Sequence, residues 1–297
     1  MNQTLLQNNR GYKIFSAVNI LFLSFIALLC VAPLVNLLAV SFSESPFASA
    51  GLVKFWPKGF TAASYQMAFS NKIFWNALRI SLERVALGTS ITFVLNVLTA
   101  YPLSKSVEVF PARRYYIWYF FFPSLFGGGL IPTFLIVKFT GLYNTIWALI
   151  LPGAAGIWNC LMLLNFFRAL PKELEEAAIV DGAGHLTILF RIFLPVSKAC
   201  LATIMLFTMV GHWNSWFDGM IYMSGTSRYP LQTYLQSLIN IDLTKITDFD
   251  ARNLAEKASP KTLKAAMVFI TALPILMVYP MLQKHFAKGI ILGSVKG

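Results

Sequence analysis

The sequence predicts an all-α integral membrane protein with six transmembrane helices. Hydrophobic residues make up 57% of the chain and charged residues 12%, with a mean hydropathy of +0.65, whereas soluble domains carry about one quarter charged residues. Apolar runs long enough to cross about 30 Å of hydrocarbon recur along the chain.

The first run, Ile14 to Phe42, follows polar residues and has no small-residue cleavage site, so it is expected to be a retained helix rather than a signal peptide. An outer stretch from Ser43 to Arg79, with Pro46, Gly51, Pro57 and Gly59, reads as an interfacial loop. The second run is Ile80 to Ser104. The turn after it holds Lys105, Arg113 and Arg114, against Lys138 alone in the opposite short loop, which favours cytoplasmic termini.

The third run, Tyr115 to Phe139, contains Gly127-Gly128-Gly129 and then Pro132, so a bend is expected there. Two readings of Gly128 stand: a flexible segment beside a transport path, or a kink that packing requires. Tyr143 to Phe167 is the fourth run and Val196 to Met223 the fifth, whose end carries the polar group from His212 to Asp218. Ionisable groups at membrane depth are functional candidates, so Trp213, Asn214 and Asp218 are read as gate or path residues, with subunit packing, direct substrate contact and a satisfied structural network as alternatives. An outer segment from Ser224 to Thr262 precedes the sixth run, Leu263 to Leu282.

Between the fourth and fifth runs lies a polar helical insert. Pro171 and the acids Glu173, Glu175 and Glu176 mark a helix start. Leu174, Ala177, Ala178 and Asp181 share one face at helical spacing, and Gly182 provides a bend before a second short helix. By periodicity alone this is an amphipathic linker resting on the membrane. The formal charge of +12 is dispersed among apolar spans, which speaks against nucleic acid and for anionic headgroups. Cys30, Cys160 and Cys200 show no ligand spacing, so neither a metal site nor a disulfide framework is indicated.

The string Glu176-Ala177-Ala178, two residues, Asp181-Gly182-Ala183, then Phe190, Ile192, Leu194 and Pro195, resembles the EAA loop of permease subunits of binding-protein-dependent ABC importers. Trp213-Asn214, Gly128 to Pro132, Tyr229 to Tyr234 and the tail Lys288 to Gly297 resemble the oligosaccharide branch, similar to the maltose and alginate importer permeases. The resemblance implies a type I importer permease fold, with an N-terminal helix and outer loop over 1–70, a permease core over 71–285 and a cytoplasmic tail over 286–297. Within the core, 171–195 is the coupling loop, and Glu176, Ala177, Ala178, Asp181, Gly182 and Ala183 contact an ATPase. It also implies a second permease subunit, two ATP-binding subunits, an extracytoplasmic solute-binding protein, alternating access and the bacterial inner membrane.

The chain has no Walker A lysine loop and no nucleophile-His-acid set. It is therefore expected to be no enzyme and to bind no cofactor itself, ATP and Mg belonging to the partner ATPase subunits. The substrate expected is an oligosaccharide, and an acidic, uronate-containing one is suggested by outer basic residues such as Lys54, Lys58 and Lys138, with Arg79 and Arg84 as a substrate rim. The competing reading of these residues is headgroup snorkelling. An ion-coupled secondary transporter, turning on Asp218, is the alternative function, but it leaves the EAA loop without a partner.

Overall fold

The computed structural model describes residues 10–238 and 259–294, with side chains at 11–238 and 259–277. Its regular elements are helices, and the β pairing among the described residues is one bridge between Ser43 and Phe60. The chain divides into two compact units, residues 1–71 with 238–272 and residues 72–237 with 273–297.

In the first unit, α1 (Arg10–Ser41) is apolar all round and buries none of its spanning window within the chain, as suits a helix facing lipid or another apolar surface. Its last turn packs Ala39 and Val40 with Ala48, Val53 and Ala265. Beyond it, Ser43 Oγ donates to the Ala39 carbonyl and accepts from the Lys58 N–H, which fixes the return of the chain. Short helices α2 (Ser45–Ser49) and α3 (Ala63–Ser70) follow.

The last helix, α15 (Pro260–Ser294), opens with Pro260 at its first position. Ser259 Oγ accepts from the Thr262 N–H at 3.2 Å, and Thr262 Oγ1 accepts from the Ser259 N–H at 2.9 Å. This reciprocal arrangement satisfies two orphan donors at once. Ser64 of α3 adds a third contact, donating to Thr262 Oγ1 at 2.9 Å.

The second unit is built on α4 (Lys72–Ser104). Phe74, Ala77, Ser81, Arg84, Gly88, Thr92 and Asn96 recur every three or four residues and are buried, so this helix turns its polar side inward. At the far end of α4, Val97, Ala100 and Tyr101 join Leu163, Leu164 and Phe167 of α8 (Ile157–Arg168) in the main apolar core.

Three helices, over 11–41, 72–104 and 260–277, are long and apolar enough to span alone, and the number reaches six when each of three bent pairs is one span. The third run breaks into α5 (Arg113–Leu125) and α6 (Leu130–Phe139), bent by 117° at the triple glycine where a bend was expected, with Gly129 at φ +82. The fourth is divided between α7 (Ile146–Ile150), a 3-10 turn Leu151–Gly153 containing Pro152, and α8, with a 46° bend. The fifth is interrupted within the polar group His212 to Asp218, at a point with neither glycine nor proline. Its helix α12 (Lys198–Asn214) stops at Ser215, which is extended, and restarts as α13 (Phe217–Tyr222). Removing the shared hydroxyl at the start of α15 by Thr262→Val should lower stability by about 1–2 kcal/mol, read as an earlier thermal midpoint in detergent. An unchanged midpoint would contradict the role given to this cap.

Candidate functional site

Two features set apart along α4 carry polar chemistry. The first is the insert after α8. Helix α9 (Lys172–Val180) follows Pro171 with Glu173 and Glu175 in its first turn, where carboxylates favour the positive end of the helix dipole. Glu175 receives Lys105 Nζ at 2.6 Å. The Lys105 ammonium lies 4.0 Å from the Tyr101 ring centre and 4.3 Å from that of Phe193. Burial pushes the Lys105 pKa below its ordinary value, and Glu175 works against that by favouring the charged form.

The end of α9 is a Schellman turn. The Gly182 N–H donates to the Ile179 carbonyl, and the Ala183 N–H to that of Ala178, both at 2.9 Å. Gly182 has φ +79 and a Cβ there would meet nothing, so the demand for glycine is conformational. The chain continues through α10 (His185–Ile188), a π turn Leu189–Phe193 and α11 (Leu194–Val196), then bends 82° into α12. Pro195 supplies no N–H to the helix ladder, which suits a wider turn just before it.

The six residues expected on one ATPase-facing surface separate. Glu176, Ala177, Asp181 and Gly182 are exposed, Ala183 is half-buried, and Ala178 is buried against the core beside Ile188 and Leu189. Ala178 thus packs against its own chain, because its small side chain lies where α9 meets the body. The outward surface instead gains Ile179, Val180, Leu186 and Phe190, exposed by 54%, 87%, 68% and 59%. Sequence reasoning named Phe190 within the EAA string but assigned none of the four to the outer surface, although the adjacent apolar pair Ile179-Val180 ending a polar helix was a visible signal.

The second feature is a polar cavity of about 440 Å³ in the second unit, lined by Arg84, Thr92, Asn159, Thr208, His212 and Asp218 among others. Arg84 is 2% exposed. Its guanidinium pairs with both oxygens of Asp218 and donates to the carbonyls of Ser215 at 3.3 Å and Leu149 at 3.2 Å. Those carbonyls lie beside the breaks in the fifth and fourth runs, so one cation supports both interruptions. Asp218 Oδ1 also accepts from Ser215 Oγ and from the Gly219 N–H, each at 2.8 Å. Asn159 Nδ2 donates to Thr208 Oγ1 at 3.1 Å on the opposite wall.

Arg84 is therefore no rim residue. Arg79 is exposed and pairs with Glu83 at 3.5 Å, but five residues of helix turn Arg84 well away from Arg79 and onto the inward stripe. Of the four residues read as gate or path, the structure brings Asp218 alone to this cavity. Trp213 is buried in an apolar hollow with Leu82, Val85, Met209 and Pro274, Asn214 is exposed, and Gly128 is exposed at the α5–α6 break.

Gly88 makes room for the cavity wall. A Cβ on it would come within 2.5 Å of His212 Nε2. On the outer side, Ser81 Oγ accepts from the Leu231 N–H of α14 (Leu231–Ser237) at 2.7 Å, and Thr233 Oγ1 donates to the Trp216 carbonyl at 2.8 Å. The start of the outer segment is thereby pinned to α4 and to the break. Its residues 239–258, and the side chains of the tail Lys288 to Gly297, lie outside the described residues.

Spanning helices around a polar cavity, with a helical insert presenting an apolar outer face, define a multi-pass transport permease. The chain belongs to the family of binding-protein-dependent transport system inner membrane components, matched over residues 111–292. It is 38% identical to Protein LplC of Bacillus subtilis (strain 168), covering 98% of each chain. It is 37% identical to the polygalacturonan/rhamnogalacturonan transport system permease protein YtcP of the same organism, over 93% of this chain and 96% of that one. A chain in the crystal structure of a bacterial ABC transporter involved in the import of the acidic polysaccharide alginate superposes with a TM-score of 0.85 at 29% identity, over 94% of this chain and 98% of that chain.

The Lys105–Glu175 pair should couple energetically. In a double-mutant cycle of Lys105→Met and Glu175→Gln, scored by thermal unfolding in detergent, a coupling of about 1–3 kcal/mol is expected. Additive effects would mean that the pair does not hold α9 to α4.

Proposed function

We propose that this chain forms half of the membrane path of an ATP-driven importer of acidic oligosaccharides in the bacterial inner membrane. The other half is a second, similar permease subunit. An extracytoplasmic solute-binding protein delivers the sugar, and two ATP-binding subunits, which carry the ATP and Mg, drive alternating access. The observation that carries the reading is the insert over 171–195, a rigidly capped helix with an apolar outer face and an acid-bearing edge. A short amphipathic helix of this kind fits a groove in a partner subunit.

In this reading Glu176, Ala177, Asp181 and Gly182 contact the ATPase together with Ile179 and Val180, while Ala178 and Ala183 hold the insert to the body. Closure of the ATP-binding subunits would displace α9, and the Lys105–Glu175 pair would carry that displacement to α4. The acidic class of substrate is supported by the buried Arg84 in the cavity and by the pectic and alginate systems among the relatives. Ion coupling through Asp218 has less support, since that carboxylate is already held by Arg84, Ser215 Oγ and the Gly219 N–H.

Reconstitution in liposomes with the cognate partner permease, ATP-binding subunits and binding protein tests the assignment. Charging the outer face by Ile179→Arg with Val180→Arg should reduce substrate-stimulated ATP hydrolysis at least about tenfold, as loss of central interface anchors does, while the permease pair still assembles. Full stimulation in that variant would sink the proposed contact. For the substrate, the wild-type complex should import uronate oligomers in preference to their carboxyl-reduced counterparts, and equal uptake of both would count against the acidic class.

A further inference from the structure

We infer that Arg84 is the specificity-determining residue of the intramembrane cavity, reading a substrate carboxylate in exchange for the internal carboxylate of Asp218. This rests on the proposed import of an acidic oligosaccharide and names the residues that would select it. The starting point is an imbalance in an otherwise satisfied network. A guanidinium has five N–H donors. The two terminal nitrogens of Arg84 face Asp218 and the carbonyls of Ser215 and Leu149, yet its Nε is buried and has no partner among the described residues. An orphaned donor in a site of low dielectric carries a free-energy penalty that a ligand acceptor relieves.

A second orphan lies on the same wall. Thr92 Oγ1 is buried and has no partner among the described residues, and Thr92 lines the same cavity. Eight residues of helix separate it from Arg84, about 12 Å along α4. One carboxylate cannot reach both. A short oligosaccharide can, with a uronate at Arg84 and a ring hydroxyl at Thr92, and the cavity volume of about 440 Å³ falls within the usual range for small-ligand sites.

The ion pair is also arranged so that it can part. Asp218 retains Ser215 Oγ and the Gly219 N–H when Arg84 leaves it, and its side chain is 24% exposed, so its charge stays hydrogen-bonded and partly hydrated. Arg84 retains the two backbone carbonyls, which hold the guanidinium in place for an incoming anion. A neutral sugar offers acceptors too weak to displace a carboxylate, because charge-assisted hydrogen bonds are about twice as strong as neutral ones. Recapture of Arg84 by Asp218 then releases the substrate, so the internal acid limits how tightly the cavity holds its cargo. Exchange at this point also frees the start of α13, which the resting pair ties to α4.

The test uses the reconstituted complex with all cognate partners, comparing uptake of uronate trimers with carboxyl-reduced trimers of the same linkage. The charge-free double variant Arg84→Gln with Asp218→Asn should lower the acidic-to-neutral ratio of kcat/KM at least about tenfold. Asp218→Asn alone removes the competitor, so KM for the acidic trimer should fall together with its kcat. Thr92→Val, which leaves every charge in place, should raise KM for the acidic trimer. An assembled double variant with an unchanged ratio overturns the inference, and if that variant fails to assemble, an unchanged KM for the acidic trimer in Asp218→Asn does so. A wild-type complex that does not prefer the acidic trimer removes the substrate reading and this inference together. An acid-selective wild type with an unchanged ratio in the double variant removes this inference alone.

Discussion

Inside hydrocarbon a helix can stop only where something takes over its carbonyl groups, and in this chain Arg84 does so for two helices at once. The carbonyls of Leu149 and Ser215 lie beside separate interruptions, and one guanidinium reaches both. Asp218 neutralises the cation and is itself held by the amide and hydroxyl at the second break. The pair sits in a setting where deleting one partner outright costs about 3–5 kcal/mol, so the breaks and the cation that supports them are kept together. This dependence explains why a membrane core carries such a pair: the polar cavity needs non-helical backbone around it, and that backbone needs the cation.

The same helix bears the second polar centre. Arg84 and Lys105 are separated by 21 residues of sequence, about 31 Å of helix, or close to the thickness of the hydrocarbon. Arg84, within the first half of α4, and Lys105, just past its last residue, are thus each paired with an acid from a distant segment, Asp218 and Glu175 respectively. Between them the helix is packed against α8 and α12, through the apolar core at Val97, Ala100 and Tyr101 and with Gly88 allowing the His212 ring to lie against the backbone. A rod held at two separated points by charged pairs and packed closely between them moves as one body more readily than it bends, which suits the transmission proposed from α9 to the cavity.

Several of these elements were legible in the sequence because their signals are local. Hydropathy marked the spans, the triple glycine marked the α5–α6 bend, and Pro171 with its acids marked the start of α9. Gly182 was legible as a bend, since few other residues take a positive φ easily. What was not legible depended on pairing across the fold. Arg84 looked like a headgroup residue beside Arg79 and Glu83, and only its place in the stripe with Ser81 and Gly88 turns it inward. The break at Ser215 has no glycine or proline of its own. It exists because Arg84, 131 positions earlier in the chain, replaces the missing helical partners, and no local pattern can announce that. Ala178 failed for a related reason: small residues on a helix face suit a partner subunit and the protein's own body equally well.

The distribution of polarity follows from these constraints. Lipid-length apolar surface lies outward, as on α1, while Ser81, Arg84, Thr89, Thr92 and Asn96 are buried along α4. A soluble helix would reverse that order, because water would reward the polar side and the core would require the apolar one. Here the outside is the apolar solvent, so the polar stripe has value only if it meets other polar groups or an aqueous path. Part of it meets protein: Ser81 is taken by the Leu231 amide and Arg84 by Asp218. The remainder, at Thr89, Thr92 and Asn96, holds buried side-chain donors or acceptors with no partner among the described residues. A folded permease at rest thus retains unmet hydrogen-bonding capacity along the inner face of one helix, beginning beside the cavity at Arg84 and continuing toward the end that bears Lys105.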